Sequence, residues 1–278
     1  MVQTLDRPPA PIPSRRFAGL LPGRLLRWRR PVWWQEIAIV AFGYWLYTLG
    51  RNAIPAQRAL AFRHGRSIQH LQEHLGLTWE LTVNHFVART EWLAQVMDYY
   101  YATLHFFLTI GVMVWLFRRR PQVYRGARTA LVATTVLGLV GFAIYPTAPP
   151  RLLPHYGYVD TVLKFHTWGS LADPNIAEHS NQFAAMPSLH VAWAAWCGIV
   201  LWNCARRPAV RWLGLAYPVG TFVVIIGTAN HFVLDAIGGA VIVALGFAVQ
   251  WLLAGRGAFA PPTGSPSSRR PEGAGQHG

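Results

Sequence analysis

The sequence predicts an all-α fold: an integral membrane bundle of six transmembrane helices, with an interfacial helix between the first and second spans. Three observations carry this. Hydrophobic residues make up 53% of the 278 positions and charged residues only 13%, too little charge for a water-facing surface of this size. The apolar residues gather in runs close to the roughly 20 residues that cross a bilayer core. The basic residues fall in short clusters between those runs, so the net charge of +14 forms no continuous stripe and argues against nucleic acid as a partner.

Residues 1 to 31 are rich in Pro and Arg and residues 256 to 278 in Pro, Gly and Ser. Neither stretch can bury a core, so both are expected as disordered tails flanking a membrane domain over 32 to 255. No small-residue cleavage pattern follows the first apolar run, so it is expected to stay as an anchor. The six expected spans are Val32 to Leu49, Val96 to Phe117, Thr129 to Tyr145, Leu189 to Cys204, Val210 to Thr228 and Phe232 to Leu253. The third and fourth are short for a full crossing. Cys197 and Cys204 lie two turns apart on the fourth, too far for a disulfide.

Orientation follows from the basic residues, which are retained on the cytoplasmic side of short loops. With six spans, 18 of the 25 Lys and Arg fall on the side of the two tails, and the rest lie in the two longest loops. Both termini are therefore expected in the cytoplasm. Between the first two spans, Ala53 to Glu91 is too polar to cross. Ile68, Leu71, Leu75 and Leu77 recur there at nearly helical spacing, which predicts a helix on the outer interface. The loop from Pro146 to Ala185 opens with Pro146, Pro149, Pro150 and Pro154 and cannot be a continuous helix. A loop of that length is usually functional or disordered.

An ionisable group in or at the rim of a span costs free energy unless it serves a partner or a reaction. His231 and Asp235 are one helical turn apart at the start of the sixth span. A carboxylate there can accept the imidazole N–H and leave the other ring nitrogen free as nucleophile or base. The fourth span opens Ala185-Met186-Pro187-Ser188-Leu189-His190. Pro187 suits a first helical turn, Ser188 can cap the helix or touch a ligand, and the helix N-terminus attracts phosphate, with His190 placed to protonate a leaving oxygen. The topology puts all three groups at the non-cytoplasmic face. Two His and an Asp also make a chemically reasonable metal site, although no further ligand pattern accompanies them.

Pro187-Ser188-Leu189-His190 and His231-x-x-x-Asp235 resemble the second and third signatures of the type 2 phosphatidic acid phosphatase superfamily. Within it, Tyr145-Pro146-Thr147-Ala148-Pro149-Pro150-Arg151 and Asn230-His231 resemble the inositolphosphotransferase branch, akin to inositol phosphorylceramide synthases and more distantly to sphingomyelin synthases. The resemblance covers roughly Tyr99 to Leu253, and Tyr101 and His105, one turn apart in the second span, fit that branch as substrate-binding residues alongside Asn230. It implies a reaction without metal or other cofactor, through a phosphohistidine on His231. Asp235 would orient the nucleophile and His190 would act as the acid. The implied substrate is a lipid phosphate in the bilayer, with a polyol or lipid alcohol as acceptor, or water in a phosphatase.

Two departures stand out. Val224 and Ile225 occupy the positions where the superfamily has Ser-Arg, and its first signature, a Lys followed by Arg-Pro, is not found. Arg151 is therefore the expected phosphate-binding residue, together with Ser188; Arg128 should lie at the wrong depth. Asp160, Lys164, His166 and Asp173 of the outer loop are candidates for head-group selection. Outside enzymes, the competing classes are a transporter or flippase, which usually places ionisable groups at the midplane, and a scaffold without chemistry.

Overall fold

A computed structural model of the chain describes residues 32–38, 58–153, 155–167 and 182–260. Among them the fold is all-helical, with one isolated parallel bridge between Thr147 and Ala184 in place of any strand. In chain order the helices are α1 (Arg58–His74), α2 (Trp79–Ala88), α3 (Glu91–Tyr99), α4 (His105–Arg119), α5 (Pro121–Ile144), α6 (Thr161–Lys164), α7 (Leu189–Cys204), α8 (Pro208–Gly227) and α9 (Val233–Ala254). A π-helical turn, Tyr100–Leu104, joins α3 to α4 in one rod of 29 residues.

Among the described residues four helices are long and apolar enough to cross a membrane: the Glu91–Arg119 rod, α5, α8 and α9. The fourth expected span is α7, a shorter apolar helix of 16 residues with the bounds read from the sequence. Of the first expected span only 32–38 are described, and 33–38 are helical; the remainder lies outside the described residues, as do 1–31, 261–278 and Asp173.

The third span begins earlier than its apolar run. Helix α4 ends at Arg119 and α5 starts at Pro121, so Arg125 and Arg128 are helical rather than loop residues and α5 reaches 24 residues. Proline at the first helical position loses no intrahelical hydrogen bond and sets φ for the new helix. Arg128 pairs with Glu36 of the 33–38 helical stretch, whose other carboxylate oxygen accepts from Tyr124 Oη at 3.0 Å. The charge at this depth is thereby neutralised, which a hydropathy reading cannot anticipate.

Small residues let the helices approach closely, the usual currency of packing in lipid, where no hydrophobic force acts between helices. Helix α9 packs on α5 and α7, and α8 on α7. A Cβ on Gly239 of α9 would stand 2.4 Å from the Ser188 carbonyl oxygen, and one on Gly198 would stand 2.7 Å from that of Gly214. Trp196 is fully buried at the centre of the bundle and donates its indole N–H to the Ala127 carbonyl at 2.9 Å. Phe107, Ile144, Leu213 and Val219 are exposed on the outside, the surface a bilayer would cover.

These contacts give the bundle two distinct ends. Arg120 donates to the Cys204 carbonyl at one end. At the other, the N–H of Ser188 donates to the Asp235 carbonyl at 2.9 Å, so α7 and α9 start side by side. Over this second end lies the α1–α2 hairpin, bent at Gly76 with φ +72°. Its buried face is partly polar: Gln69, Gln72, Glu80 and Asn84 are enclosed together with Ile68, while Leu71 and Leu75 point outward. The leucine spacing therefore marks a helix here but not its protein-facing side. After α9 the described residues run on to Ala260, with Ala258 buried against Gly126 and Phe259 beside Phe247.

Candidate active site

The turn between α8 and α9 delivers His231. Asn230 and His231 both donate their backbone N–H groups to the Ile225 carbonyl, at 3.0 and 3.2 Å, and Ala229 takes a left-handed φ of 50°. A non-glycine residue held there is strained, and such strain clusters at functional sites. The turn is closed from outside: the Arg151 N–H donates to the Ala229 carbonyl at 3.0 Å.

His231 Nδ1 lies 2.9 Å from the Ala185 carbonyl oxygen and 3.4 Å from Asp235 Oδ2. A carbonyl oxygen can only accept, so Nδ1 carries the hydrogen and Nε2 the lone pair. Nε2 is buried and has no hydrogen-bond partner among the described residues. An orphaned buried acceptor costs on the order of 1–3 kcal/mol, a cost that fits a nitrogen kept free for a ligand. Asp235 Oδ2 accepts from the Phe232 N–H at 2.9 Å within its own turn, and Oδ1 has no partner among the described residues. The pairing expected from the four-residue spacing is thus present as proximity, while the stronger hydrogen bond goes to a backbone carbonyl 46 residues away.

His190 stands opposite, in the first turn of α7, its ring centroid 5.5 Å from that of His231. It is held between two rings of the second span: Tyr101 stacks on it with centroids 4.1 Å apart, and His105 meets it edge-on at 4.2 Å. The π-helical turn makes this possible. Within this turn the Tyr101 carbonyl accepts from His105 Nδ1 at 3.0 Å. Tyr101 and His105, read from the sequence as substrate-binding residues, therefore come to the same cluster as the two histidines.

Ser188 is the N-cap of α7, its hydroxyl accepting from the Val191 N–H at 3.4 Å, and it is fully buried. This displaces Pro187, expected in the first helical turn, to the position before the cap, where its ring packs on Gly141 and Gly238. The first-turn amides of Leu189 and His190 have no protein acceptor among the described residues, which leaves α7 with an open anion-binding end. Asn230 is buried and donates its side-chain amide to Thr228 Oγ1 at 2.8 Å, inside the turn.

Arg151 sits in a short 3-10 turn, Pro150–Leu152. Its Nη1 donates to Asp160 Oδ2 at 2.8 Å, with both side chains about 10% exposed, and its Nε is buried without a partner among the described residues. Of the other outer-loop candidates, Lys164 donates to the Ala88 carbonyl at 2.6 Å and the His166 ring stays local, 2.9 Å from the Leu163 carbonyl. Arg128 is occupied by Glu36. Among the described residues no three His, Cys, Asp or Glu side chains gather as metal ligands.

Two residues of this region carried no sequence signal. Glu80 Oε1 accepts the Val233 N–H at 2.5 Å, and Gln72 Oε1 accepts that of Leu234 at 3.1 Å. Their partners are 153 and 162 positions away, and no local pattern encodes a cap supplied from that distance.

The cluster therefore holds a tautomer-fixed histidine with a free nitrogen, a second histidine across from it, a carboxylate, a half-used arginine and an open helix N-terminus. Together these can attack, protonate and neutralise a phosphate ester. No curated protein and no solved structure matches the chain significantly. A family profile described as PAP2 superfamily matches residues 66–249. That span is well over half of the chain and contains α7, α8, the whole histidine cluster and most of α9, so this protein belongs to the PAP2 superfamily of membrane phosphatases and phosphotransferases.

Proposed function

We propose that the protein transfers a phospho-head group from a lipid phosphate to a polyol or lipid alcohol, as an inositolphosphotransferase-like enzyme, through a phosphohistidine on His231. One observation carries the reading: His231 Nδ1 is committed to the Ala185 carbonyl while Nε2 is buried, unpartnered and opposite His190.

In the first step Nε2 attacks phosphorus, the bond from phosphorus to the departing alcohol oxygen breaks, and protonated His190 gives its proton to that oxygen. The phosphorylated imidazole carries a positive charge, which Asp235 at 3.4 Å stabilises. In the second step His190 takes the proton from the acceptor hydroxyl, that oxygen attacks phosphorus, and the P–N bond breaks to restore the Nε2 lone pair. Arg151 Nε and the Leu189 and His190 amides neutralise the phosphoryl oxygens, which offsets the missing basic signatures. Exposure of only 3% at His231 and 0% at Asp235 limits access of bulk water and favours an alcohol acceptor bound in the site.

The same reading takes six crossings, with residues 32–49 as the first, both tails in the cytoplasm, a catalytic domain over 32–255, and the histidine cluster at the extracytoplasmic face. The placement of Arg120 and the Cys204 carbonyl at the opposite end of the bundle supports it, and the outward Leu71 and Leu75 suit α1 to the outer interface.

The test is a panel of labelled lipid phosphates given to the purified protein with and without inositol, followed by mass spectrometry under acid-free conditions. Label on His231 and inositol-dependent product are expected. Inorganic phosphate released at the same rate with or without inositol would make the enzyme a lipid phosphate phosphatase instead, and no label on His231 would remove the covalent mechanism.

A further inference from the structure

The first turn of α9 is satisfied from three places. Its Phe232 N–H is taken by Asp235 Oδ2 from the same turn. The next two amides leave the helix entirely, Val233 to Glu80 of α2 and Leu234 to Gln72 of α1. The two acceptors are locked together, Gln72 Nε2 donating to Glu80 Oε2 at 3.0 Å, and the Tyr158 hydroxyl is shared between that oxygen at 3.4 Å and Gln69 Oε1 at 3.1 Å. Glu80 and Gln72 are each 1% exposed.

A carboxyl enclosed to this degree is costly unless donors and a positive helix end compensate it. Simple fold stability would be served as well by apolar side chains of similar volume. Here the carboxyl and the amide are instead spent on two backbone groups within three residues of His231 and two residues of Asp235. Apolar packing also joins the two, Phe232 sharing a buried cluster with Ala61 and Ile68 of α1, but the bonds from Glu80 and Gln72 hold the α9 backbone itself.

We propose that Glu80, braced by Gln72, is a positioning residue of the catalytic centre: it fixes the first turn of α9, and with it the placement of His231 Nε2 against His190. It acts through the α9 backbone and touches no substrate. The α1–α2 hairpin is then a working part of the catalytic unit. The effect on turnover rests on the phosphotransfer reading; the effect on α9 does not.

Burial pushes the Glu80 carboxyl up to about 7, the donors from Val233, Gln72 and Tyr158 pull it down, and the like charge of Asp235 raises it. The ionisable groups facing Glu80 are Asp235 from α9 and Tyr158 from the outer loop; Gln72 from α1 is neutral. Glu80→Gln keeps an acceptor for the Val233 N–H but cannot ionise, and Glu80→Ala removes the acceptor.

The experiment compares the full-length wild type with both variants in detergent, reading hydrogen exchange over 228–236 and turnover of labelled lipid phosphate. Glu80→Ala should speed exchange of the Val233 and Leu234 amides about tenfold and lower kcat on the order of 10²-fold with KM within about twofold, since misplacement by about 1 Å costs that much. Glu80→Gln should restore both to within about threefold, and the inflection near pH 7 expected in the wild-type kcat profile from the raised Glu80 carboxyl should be lost with it. Unchanged exchange in Glu80→Ala overturns the proposal whatever the substrate, and so does faster exchange with unchanged kcat. A wild type that turns over no lipid phosphate sinks the phosphotransfer reading instead, and the exchange measurement still decides whether Glu80 holds α9.

Discussion

His231 gives its Nδ1 hydrogen to the carbonyl oxygen of Ala185 at 2.9 Å, while the carboxylate of Asp235 stands 3.4 Å from the same nitrogen. The tautomer is thus set by backbone and the charge is supplied by a side chain. Separating these two jobs has a measurable consequence. Asp235→Asn keeps an acceptor for the Phe232 N–H and leaves the Ala185 bond in place, so it should lower kcat by roughly 10 to 10²-fold, the electrostatic share alone. His231→Ala should abolish both turnover and phosphohistidine. Equal loss in the two variants, measured as single-turnover rates, would assign the tautomer to Asp235 after all.

Arg151 is tied to Asp160 through Nη1, and its buried Nε has no partner among the described residues and is open to a ligand. Arg151→Lys keeps a charge for Asp160 but loses the planar fork, so the thermal midpoint should hardly move while kcat/KM falls about 10 to 10²-fold. A kcat/KM within about twofold of wild type would remove Arg151 from the phosphate site.

Glu80 ties stability to pH. Its carboxyl is raised from 4.5 to about 7 by burial, so between those values the folded chain keeps a proton that the unfolded chain releases. Stability is then greatest below pH 4.5, falls as pH rises to about 7 and is level above it, a change on the order of 3 kcal/mol if Glu80 acts alone. Thermal midpoints in detergent should be lower at pH 7.5 than at pH 5, and Glu80→Gln should flatten that difference. A slope unchanged by the substitution would assign it to other groups.

Gly239 leaves no room for a methyl group, since a Cβ would meet the Ser188 carbonyl oxygen at 2.4 Å. That oxygen belongs to the backbone of the turn that caps α7 and cannot rotate away. Gly239→Ala should cost about 1–3 kcal/mol and lower kcat as well, because it pushes the His231 helix from the His190 helix. Gly255→Ala at the far end of α9, where nothing lies within 4 Å but φ is +65°, should cost about 1 kcal/mol and leave kcat unchanged. A kcat for Gly239→Ala equal to that of Gly255→Ala would contradict the spacing argument.

Hydropathy and spacing alone determined much of this protein. Helix α7 has the bounds its apolar run predicts, α8 and α9 agree to within two residues, and the prolines after Tyr145 do break the chain. These features are local: an apolar run long enough to be a helix, or a proline that cannot continue one, acts within a few residues of itself. That His190 and His231 come together was also legible, because two helix starts at one end of a bundle can be counted along the chain. What only the tertiary structure decided is how that pair is held. Ala185 fixing the His231 tautomer, the π-helical turn that swings Tyr101 and His105 onto His190, Glu36 neutralising Arg128, and Glu80 with Gln72 closing the start of α9 all join groups far apart in the chain. Each such contact is fixed by packing, which brings one particular backbone or side-chain atom within about 3 Å of another. A sequence pattern records which residues can make a hydrogen bond, and packing selects the partner that each of them finds.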